Sequence, residues 1–226
     1  MELFPPVKSD FRFQPEELEF PDNLQVCGID EAGRGPLAGP LSLALVSFSK
    51  ASLHKVLSGE VLFGLNDSKK LTEKKRETLY EEILTHAEKI VHQFISNKFI
   101  DKYGMSYSIF DAVRKLILKS KLSNPYLLVD GNYNFKKHQL ETCFSFSYKS
   151  IIKGDSKVAS IAAASIIAKV RRDRFMDSIS KRYPDYGFGA HKGYGTASHI
   201  SKIKELGYLP IHRRSFHLKD GAHGIQ

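Results

Sequence analysis

The sequence predicts an α/β fold: a mixed β-sheet flanked by helices, with a helical C-terminal extension. Two short apolar segments, residues 24–29 and 41–48, stand first and are close enough in the chain to pair as antiparallel strands. Strand-like and helical spacings then alternate, and helical spacing dominates the last third. With 226 residues, 42% of them hydrophobic, the chain can bury one sizeable core.

Local patterns predict the other elements in order. Apolar side chains recur at helical intervals in residues 72–89, 106–121, 157 to about 182 and 196–206. Further strands are predicted at residues 90–95, 126–129 and 147–152. The last helix has Thr196 as its N-cap and Gly207 just past its end. The long helix carries a narrow alanine face, suited to close packing on a sheet, formed by Ala162, Ala163, Ala164 and Ala168.

The predicted organisation is one domain between two short terminal segments. Residues 1–22 combine prolines, phenylalanines and acids without periodicity, which indicates an N-terminal arm packed through its phenylalanines. Residues 23–217 hold all the predicted elements and form the domain, whose helical C-terminal part begins near residue 183. Residues 218–226 form a tail.

Composition excludes several classes of protein. The chain has no apolar run near the roughly 18 residues that a membrane span needs, and its N-terminus lacks the basic and apolar segments of a secretory signal. We therefore expect a cytoplasmic protein. Its two cysteines, Cys27 and Cys143, fit neither a disulfide framework nor a zinc site, so we expect reduced thiols.

Positive charge is concentrated in the last third of the chain. The net charge is +9; residues 1–150 hold 20 Lys and Arg against 19 Asp and Glu, whereas residues 151–226 hold 14 against 6. Such a basic region favours a polyanion, because bound phosphates release their counterions. A solvated basic surface without a partner would have the same composition, so charge alone does not choose between the two.

The most informative motif stands at the end of the first predicted strand. Asp30 and Glu31 are adjacent and run into Arg34, which lies between Gly33 and Gly35. Successive side chains of a strand point to opposite faces, so the two acids can share a site only if the backbone bends between or just after them. The glycines allow that bend and leave backbone N–H groups open to a sugar or phosphate. A polar turn in which Arg34 neutralises the acids is the simpler interpretation of this motif alone.

Two further acids occupy equivalent positions. Asp130 follows the apolar strand of residues 126–129, and Asp155 stands at the start of the long helix. Carboxylates that converge at neighbouring strand ends repel one another, so a cluster of them usually implies a cation. Oxygen ligands without His or Cys indicate Mg²⁺ or Mn²⁺, and two such ions about 4 Å apart can clamp a phosphodiester. For Asp155 a plain helix N-cap is the alternative.

Six segments of the chain match, in order, the motifs of one known group of enzymes. They are residues 28–36, 65–71, 129–132, 153–156, 163–170 and 191–196. On these segments the sequence, from about residue 26 to residue 216, resembles the type 2 ribonucleases H and within them bacterial ribonuclease HII. The resemblance implies a ribonuclease H-like catalytic domain. It also implies cleavage on the 5′ side of a ribonucleotide, in RNA/DNA hybrids and at single ribonucleotides embedded in DNA, leaving 3′-hydroxyl and 5′-phosphate ends.

The resemblance also implies roles for individual residues. The four catalytic carboxylates, which bind Mg²⁺ or Mn²⁺ in the family, correspond to Asp30, Glu31, Asp130 and Asp155. The loop that recognises the 2′-hydroxyl at the cleavage site corresponds to Gly33, Arg34 and Gly35. The tyrosine that stacks on the adjacent deoxyribose corresponds to Tyr194, which without the family is as easily a packed loop residue. The related type HIII enzymes lack the arginine of this loop, so Arg34 favours type HII.

Weaker candidates lie in polar and basic segments. A polar loop before the helix of residues 72–89 is suited to holding a backbone phosphate through Asn66, Ser68 and Lys69, although Lys69 and Lys70 are also typical of ordinary surface charge. In the basic third, a phosphate-tracking helix face is predicted to include Lys157, Lys169, Arg172 and Arg174.

The C-terminal histidines and arginines have less definite roles. The histidines lack the i, i+4 spacing of a helical zinc site, which favours loop or phosphate-contacting roles for His191, His199, His212 and His217. Arg213 and Arg214 fit a structural role and a contact with the duplex equally well.

Three functions therefore compete. The first is a metal-dependent endonuclease. The second is a basic module that binds hybrids or junctions without turnover, although an inactive binder has little use for four costly acids. The third is a resolvase or integrase that acts on DNA alone, which Arg34 and Tyr194 disfavour. The partner is a nucleic acid in each case; we expect a monomer, and the sequence identifies no replication or repair partner.

Overall fold

The computed structural model describes residues 13, 15–21 and 23–217, in which a mixed five-stranded sheet carries helices on both faces. The strands are β1 (Gln25–Ala32), β2 (Leu41–Ser47), β3 (Lys89–Ile95), β4 (Pro125–Asp130) and β5 (Ser147–Ile151), in the spatial order β3-β2-β1-β4-β5. β2 pairs antiparallel with β1 and with β3, whereas β4 pairs parallel with β1 and with β5. The predicted α/β class is confirmed, and the parallel strands end at one edge of the sheet.

Helices cover both faces of this sheet. Within the described residues they are α1 (Lys50–Ser58), α2 (Glu73–His86), α3 (Asn97–Ser120), α4 (Lys136–Thr142), α5 (Ala159–Arg182), α6 (Phe188–His191) and α7 (Ala197–Leu206). α5 packs on one face with α1 and α2, and α3 packs on the other. Gly28 permits the close approach of α5, because a Cβ there would lie 2.2 Å from the carbonyl carbon of Ser160. The predicted alanine face of α5 is fully buried.

Several boundaries differ from the predictions. β1 continues through Ala32, because Asp30 and Glu31 still pair with β2, so both acids lie within the strand and not after it. α3 begins earlier than predicted, since Ser96 caps its first turn, and it bends at Gly104, where φ is +77°. α5 begins at Ala159 after a separate 3₁₀ turn. The short helices α1 and α4 were not predicted.

The caps predicted for the last helix are confirmed. The Thr196 hydroxyl accepts the N–H of His199 at 3.2 Å, and the Gly207 N–H donates to the carbonyl of Ile203 at 2.9 Å. The segment before this helix contains the four residues of α6.

Two side chains of the N-terminal arm are buried against the domain. Phe13 packs in the core with residues of α1, α2 and α5; Phe11 and the tail of residues 218–226 lie outside the described residues. The carboxylate of Glu17 accepts the N–H of Ser160 at 3.3 Å, in the first turn of α5, whose own N-cap Val158 has no side-chain acceptor. Burial raises the pKa of Glu17 to about 7. The arm thus supplies an acceptor that α5 lacks.

Two predictions from composition concern membranes and thiols. No helix in the described part of the chain is long and apolar enough to cross a membrane. Cys27 is buried, Cys143 is exposed, and both are free thiols. Burial raises the pKa of the Cys27 thiol to about 12, so this thiol stays protonated at neutral pH.

Candidate active site

Three carboxylates converge where the parallel strands end. Asp30 lies near the end of β1, Asp130 is the last residue of β4, and Asp155 lies in the 3₁₀ turn Gly154–Ser156 that follows β5. One carboxylate oxygen of each lies within 4.8 Å of the other two. The N-cap of α5 is Val158, so a plain helix cap is excluded as the role of Asp155. Strand order thus brings together acids that are far apart in the sequence.

Glu31 lies beside this group of three. Its carboxylate accepts a hydrogen bond from the hydroxyl of Tyr133 at 3.0 Å, and its backbone N–H donates to the carboxylate of Asp30 at 2.7 Å. The backbone turns just after the pair, at Gly33, where φ is +89°. The structure therefore places three of the four predicted ligands in one group and the fourth next to it.

Burial and the charges of neighbouring acids both favour the protonated forms of Asp30, Glu31 and Asp155. Burial raises the pKa of Asp30 well above its usual range, and the charges of Glu31 and Asp130 raise it further. Burial likewise raises the pKa of Glu31. The pKa of Asp155 rises to about 6 through burial and the charges of Asp130 and Asp67. A bound cation would cancel the repulsion and replace the lost solvation.

The ligand chemistry of the group fits a hard divalent cation. It offers carboxylate oxygens, and among the residues described no His or Cys joins it. The N–H of Gly154 donates to Asp130 at 2.7 Å, and the hydroxyl of Ser165 hydrogen-bonds the carboxylate of Asp30, so neighbouring groups orient the ligands. Mg²⁺ and Mn²⁺ prefer such oxygen ligands.

Two predicted phosphate-binding lysines lie in different environments. Lys69 is exposed and close to the acids: burial lowers the pKa of its ammonium, but the negative charges of Asp30 and other nearby acids raise it more. Lys169 is half-buried and pairs with Asp173 at 2.8 Å on α5. Lys69 therefore carries positive charge at the acid group, whereas the charge of Lys169 is already compensated.

The other two residues of the polar loop point inward. Ser68 is buried, and its hydroxyl bonds that of Ser165 at 2.8 Å, the same serine that supports Asp30. The side-chain oxygen of Asn66 is buried and has no hydrogen-bond partner among the described residues. Ser68 thus supports the acid group from behind, and it does not present its hydroxyl to a phosphate.

Arg213 holds the inner side of the 33–35 loop. Its buried guanidinium donates to the carbonyls of Gly33 at 2.6 Å, Arg34 at 2.9 Å and Gly39 at 3.0 Å. Burial lowers the pKa of Arg213 to about 9, and the charge of Arg172 acts in the same direction. Of the two roles that the sequence left open, the structure shows the structural one, because this side chain is 1% exposed.

The two glycines of the loop have different surroundings. A Cβ on Gly33 would lie 2.0 Å from Nε of Arg172, and its φ of +89° is itself unfavourable for other residues. A Cβ on Gly35 would meet no atom within 4 Å. Arg34 between them is exposed. The fold requires glycine at 33, whereas at 35 glycine leaves bare backbone facing outward.

The predicted phosphate-tracking face is wrong for Arg172. This residue is 1% exposed and donates to the carbonyls of Ala38, Pro40 and Lys192. Helical spacing identifies residues on one face but not which face meets the sheet and its loops. Arg174, on the same helix, is half-exposed and pairs with acids of α2.

Tyr194 projects from the loop before α7 with its side chain 44% exposed, which disfavours a packed role. Its carbonyl accepts a hydrogen bond from Nδ1 of His199 at 2.9 Å. Nε2 of His199 lies 3.1 Å from Nε2 of His212, whose Nδ1 accepts the N–H of Leu209 at 2.8 Å. Every ring nitrogen of the two histidines is therefore engaged: His199 bonds the Tyr194 carbonyl, and His212 supports His199 from Leu209. This agrees with a loop role and not a metal role.

One side chain that contacts the site was not predicted from the sequence. The hydroxyl of Tyr133 donates to Glu31 and accepts from Nη1 of Arg34 at 3.2 Å. Tyr133 comes three residues after Asp130, but no spacing or motif distinguishes it from an ordinary loop tyrosine.

Comparison with known proteins decides the family. The family model for ribonuclease HII matches residues 27–219. The chain belongs to the ribonuclease HII family. Ribonuclease HII of Aliarcobacter butzleri is 46% identical over 194 residues, covering 86% of this chain and 91% of that protein. Ribonuclease HII of Endomicrobium trichonymphae is 46% identical over 191 residues, 84% of each chain. The resemblance stated from the motifs is confirmed.

Solved structures agree with the ribonuclease HII fold. RNase HII of Archaeoglobus fulgidus, solved in a complex with PCNA, has a TM-score of 0.69 at 27% identity, over 88% of this chain and 98% of that one. Ribonuclease H2 of Pyrococcus horikoshii OT3 has a TM-score of 0.68 at 25% identity, over 86% and 94%. As a ribonuclease HII, the chain is a metal-dependent endoribonuclease that acts on RNA/DNA hybrids.

Proposed function

We propose that this ribonuclease HII cleaves the phosphodiester 5′ to a ribonucleotide, in RNA/DNA hybrids and at single ribonucleotides embedded in duplex DNA. The products are 3′-hydroxyl and 5′-phosphate ends. One observation carries the proposal: the Tyr133 hydroxyl hydrogen-bonds both Glu31 and Arg34. The loop suited to ribose recognition therefore lies directly beside the acids suited to cleaving the phosphodiester. A loop that recognises the ribose of one nucleotide beside the cleavage site requires only one ribonucleotide in the substrate.

The residues that would hold two Mg²⁺ or Mn²⁺ ions are Asp30, Asp130 and Asp155, with Glu31 beside them. Bound there, the ions would activate a water and stabilise the departing 3′ oxygen. The chain holds these carboxylates in place through Gly154 and Ser165. Lys69 offers a positive charge to the phosphate at the same edge.

Recognition would use groups that the fold leaves open. A 2′-hydroxyl both donates and accepts, so the bare backbone at Gly35 can recognise it without reading base sequence. The exposed ring of Tyr194 is placed to stack on the neighbouring deoxyribose, where an added 2′ oxygen would crowd it. All these groups come from one chain, so we propose a monomer as the active unit.

The direct test is end-mapped cleavage of three matched duplexes that carry one, four or many ribonucleotides, with Mg²⁺, with Mn²⁺ and with EDTA. We expect all three to be cut 5′ to a ribonucleotide, with both end groups as stated, and no cutting in EDTA. An all-DNA duplex of the same sequence is the control.

Two outcomes would favour the competing functions. Binding of the duplexes without cutting under either metal would indicate a binding module. Equal cutting of all-DNA junctions would indicate a resolvase-like enzyme. Cutting of long hybrids but not of the single ribonucleotide would contradict the finer part of the proposal while leaving hybrid cleavage intact.

A further inference from the structure

Tyr133 connects the two parts of the proposed site. It lies in the segment after β4, and its hydroxyl is 3.0 Å from Oε1 of Glu31 and 3.2 Å from Nη1 of Arg34. A guanidinium can only donate and an ionised carboxylate can only accept, so the single hydrogen of the phenol goes to Glu31. Both hydrogen-bonding roles of the hydroxyl are therefore in use between these two charged groups.

The position of Tyr133 is fixed independently of these two contacts. The hydroxyl of Ser150, on β5, accepts the Tyr133 N–H at 3.2 Å and donates to its carbonyl at 2.8 Å. The ring stacks on that of Phe135, with centroids 5.4 Å apart and planes 9° apart. Gly131 leaves room for it, since a Cβ there would lie 3.2 Å from the ring. The hydroxyl is thus placed before any substrate arrives.

The hydroxyl also keeps two opposite charges apart. Arginine and carboxylate groups readily form bidentate pairs, which would occupy both oxygens of Glu31 and draw Arg34 back against the acids. A metal ion would then have to displace the guanidinium from Glu31. With the phenol between them, Glu31 keeps one oxygen outside this contact and Arg34 stays at the outer side of the loop.

We propose that Tyr133 is a positioning residue that keeps Glu31 accessible to a metal ion and Arg34 directed toward the substrate. The inference rests on the proposed function and adds to it a link between ribose recognition and the metal site. It predicts that removing one hydroxyl makes Arg34 a competitor of the metal.

The test compares Tyr133→Phe with Tyr148→Phe. Tyr148 packs against the same Phe135, with ring centroids 5.1 Å apart, and its hydroxyl accepts the Phe135 N–H at 2.8 Å without touching the acids. Mn²⁺ binding is measured by electron paramagnetic resonance in the absence of nucleic acid. The constants kcat and KM are measured on the single-ribonucleotide duplex. For Tyr133→Phe we expect the Mn²⁺ dissociation constant to rise and kcat to fall, each roughly 10-fold. Tyr148→Phe is expected to match the wild type in both.

The double variant Tyr133→Phe/Arg34→Ala isolates the cause. Without a guanidinium to compete, its Mn²⁺ dissociation constant should return close to that of Arg34→Ala alone. The inference would be overturned if the Mn²⁺ dissociation constant of the double variant stayed as high as that of Tyr133→Phe. It would also be overturned if Tyr133→Phe and Tyr148→Phe bound Mn²⁺ equally well. A wild type that binds Mn²⁺ but leaves the ribonucleotide uncut would instead contradict the proposed function, and a wild type that binds no Mn²⁺ would contradict both.

Discussion

The acid group and the 33–35 loop lie side by side but differ in how their charges are compensated. In the acid group, Asp30, Asp130 and Asp155 face one another, and burial with mutual repulsion raises the pKa of Asp30 and Asp155. In the loop, the carbonyls of Gly33 and Arg34 accept hydrogen bonds from buried Arg213, and those of residues 38–40 just after it accept from Arg213 and buried Arg172. We therefore expect the first region to require a cation from outside, whereas the second is completed by the chain itself.

This difference predicts that the two regions contribute differently to the stability of the fold. Converging carboxylates destabilise the metal-free fold, because Asp30 and Asp155 are desolvated and the negative charges of the group repel one another. A buried guanidinium that satisfies several carbonyls fixes the backbone, and its removal leaves those carbonyls without partners. We therefore expect substitutions in the acid group to reduce activity without reducing stability, and substitutions under the loop to reduce both.

The largest effect is expected from Asp130→Asn. Loss of one ligand charge should lower the cleavage rate roughly 10³-fold, by analogy with removal of other electrostatic groups from active sites. In EDTA the same variant should be more stable than the wild type by about 1 kcal/mol, or roughly 3 °C in Tm, because repulsion is relieved and an amide oxygen can still accept the Gly154 N–H. Cleavage assays and thermal melts check both. Asp185→Asn, at an exposed turn, is the control.

A lower Tm for Asp130→Asn in EDTA would contradict the comparison. It would mean that Asp130 stabilises the metal-free fold, so the acid group would not depend on a cation to relieve its repulsion.

The next effect distinguishes the inner and outer glycines of the loop. Gly35→Ala should keep the wild-type Tm, since its Cβ meets no atom of the protein, yet lower cleavage at a single ribonucleotide roughly 100-fold by obstructing the sugar. Gly33→Ala should lose about 2 kcal/mol or more of stability, because its Cβ would meet Arg172 and its φ is positive. Wild-type cleavage by a stable Gly35→Ala variant would show that the substrate does not approach the loop there.

A smaller effect on activity is expected from Arg213→Gln. A glutamine cannot satisfy the carbonyls of Gly33, Arg34 and Gly39 together, so we expect a loss of about 3 kcal/mol, or roughly 10 °C in Tm. Cleavage below the Tm should fall roughly 10-fold, because the loop is less well placed. The control is Arg214→Gln, whose side chain is exposed over the Tyr208 ring. Unchanged stability would show that the buried guanidinium is not what holds the loop.

The sequence allowed the acid group to be predicted because its information is local. Asp30 and Asp130 were predicted from the apolar strands that lead to them, and Asp155 from its place before the long helix. Strand order then brings the three together, so each follows from a pattern of a few residues. The caps Thr196 and Gly207 followed from local patterns for the same reason. Glu31 was placed after the strand and lies within it, because the length of a ladder depends on its partner β2.

The residues that support the 33–35 loop could not be predicted because their contacts join segments that are distant in the sequence. Arg213 bonds residues near position 34, far away in the chain, and helical spacing placed Arg172 on a solvent face although it is buried. Tyr133 depends on the distance between two loops, which no spacing encodes. A sequence shows where charge is concentrated but not which charges the fold encloses.

The last effect is on stability and not on the cleavage rate, and it concerns the histidine pair that braces Tyr194. Burial lowers the pKa of His212 to about 4, and burial also lowers the pKa of His199. Because the unfolded chain binds a proton near pH 6.5 and the folded protein does not, stability is present above that pH and is lost as the pH falls toward 4. His212 alone should account for about 3 kcal/mol of this loss.

Protonation would also act on the loop that carries Tyr194. The Tyr194 carbonyl requires a hydrogen on Nδ1 of His199, which leaves Nε2 of His199 to accept from His212. A proton on either ring would set two hydrogens against each other and break this chain of bonds.

Chemical denaturation of wild type and His212→Asn between pH 4 and 7 tests this, with exposed His217→Asn as the control. The raised pKa values of Asp30, Glu31 and Asp155 act in the opposite sense, but equally in both proteins, so the difference between the two pH profiles isolates His212. Parallel profiles would show that the histidine pair is not the acid-sensitive brace.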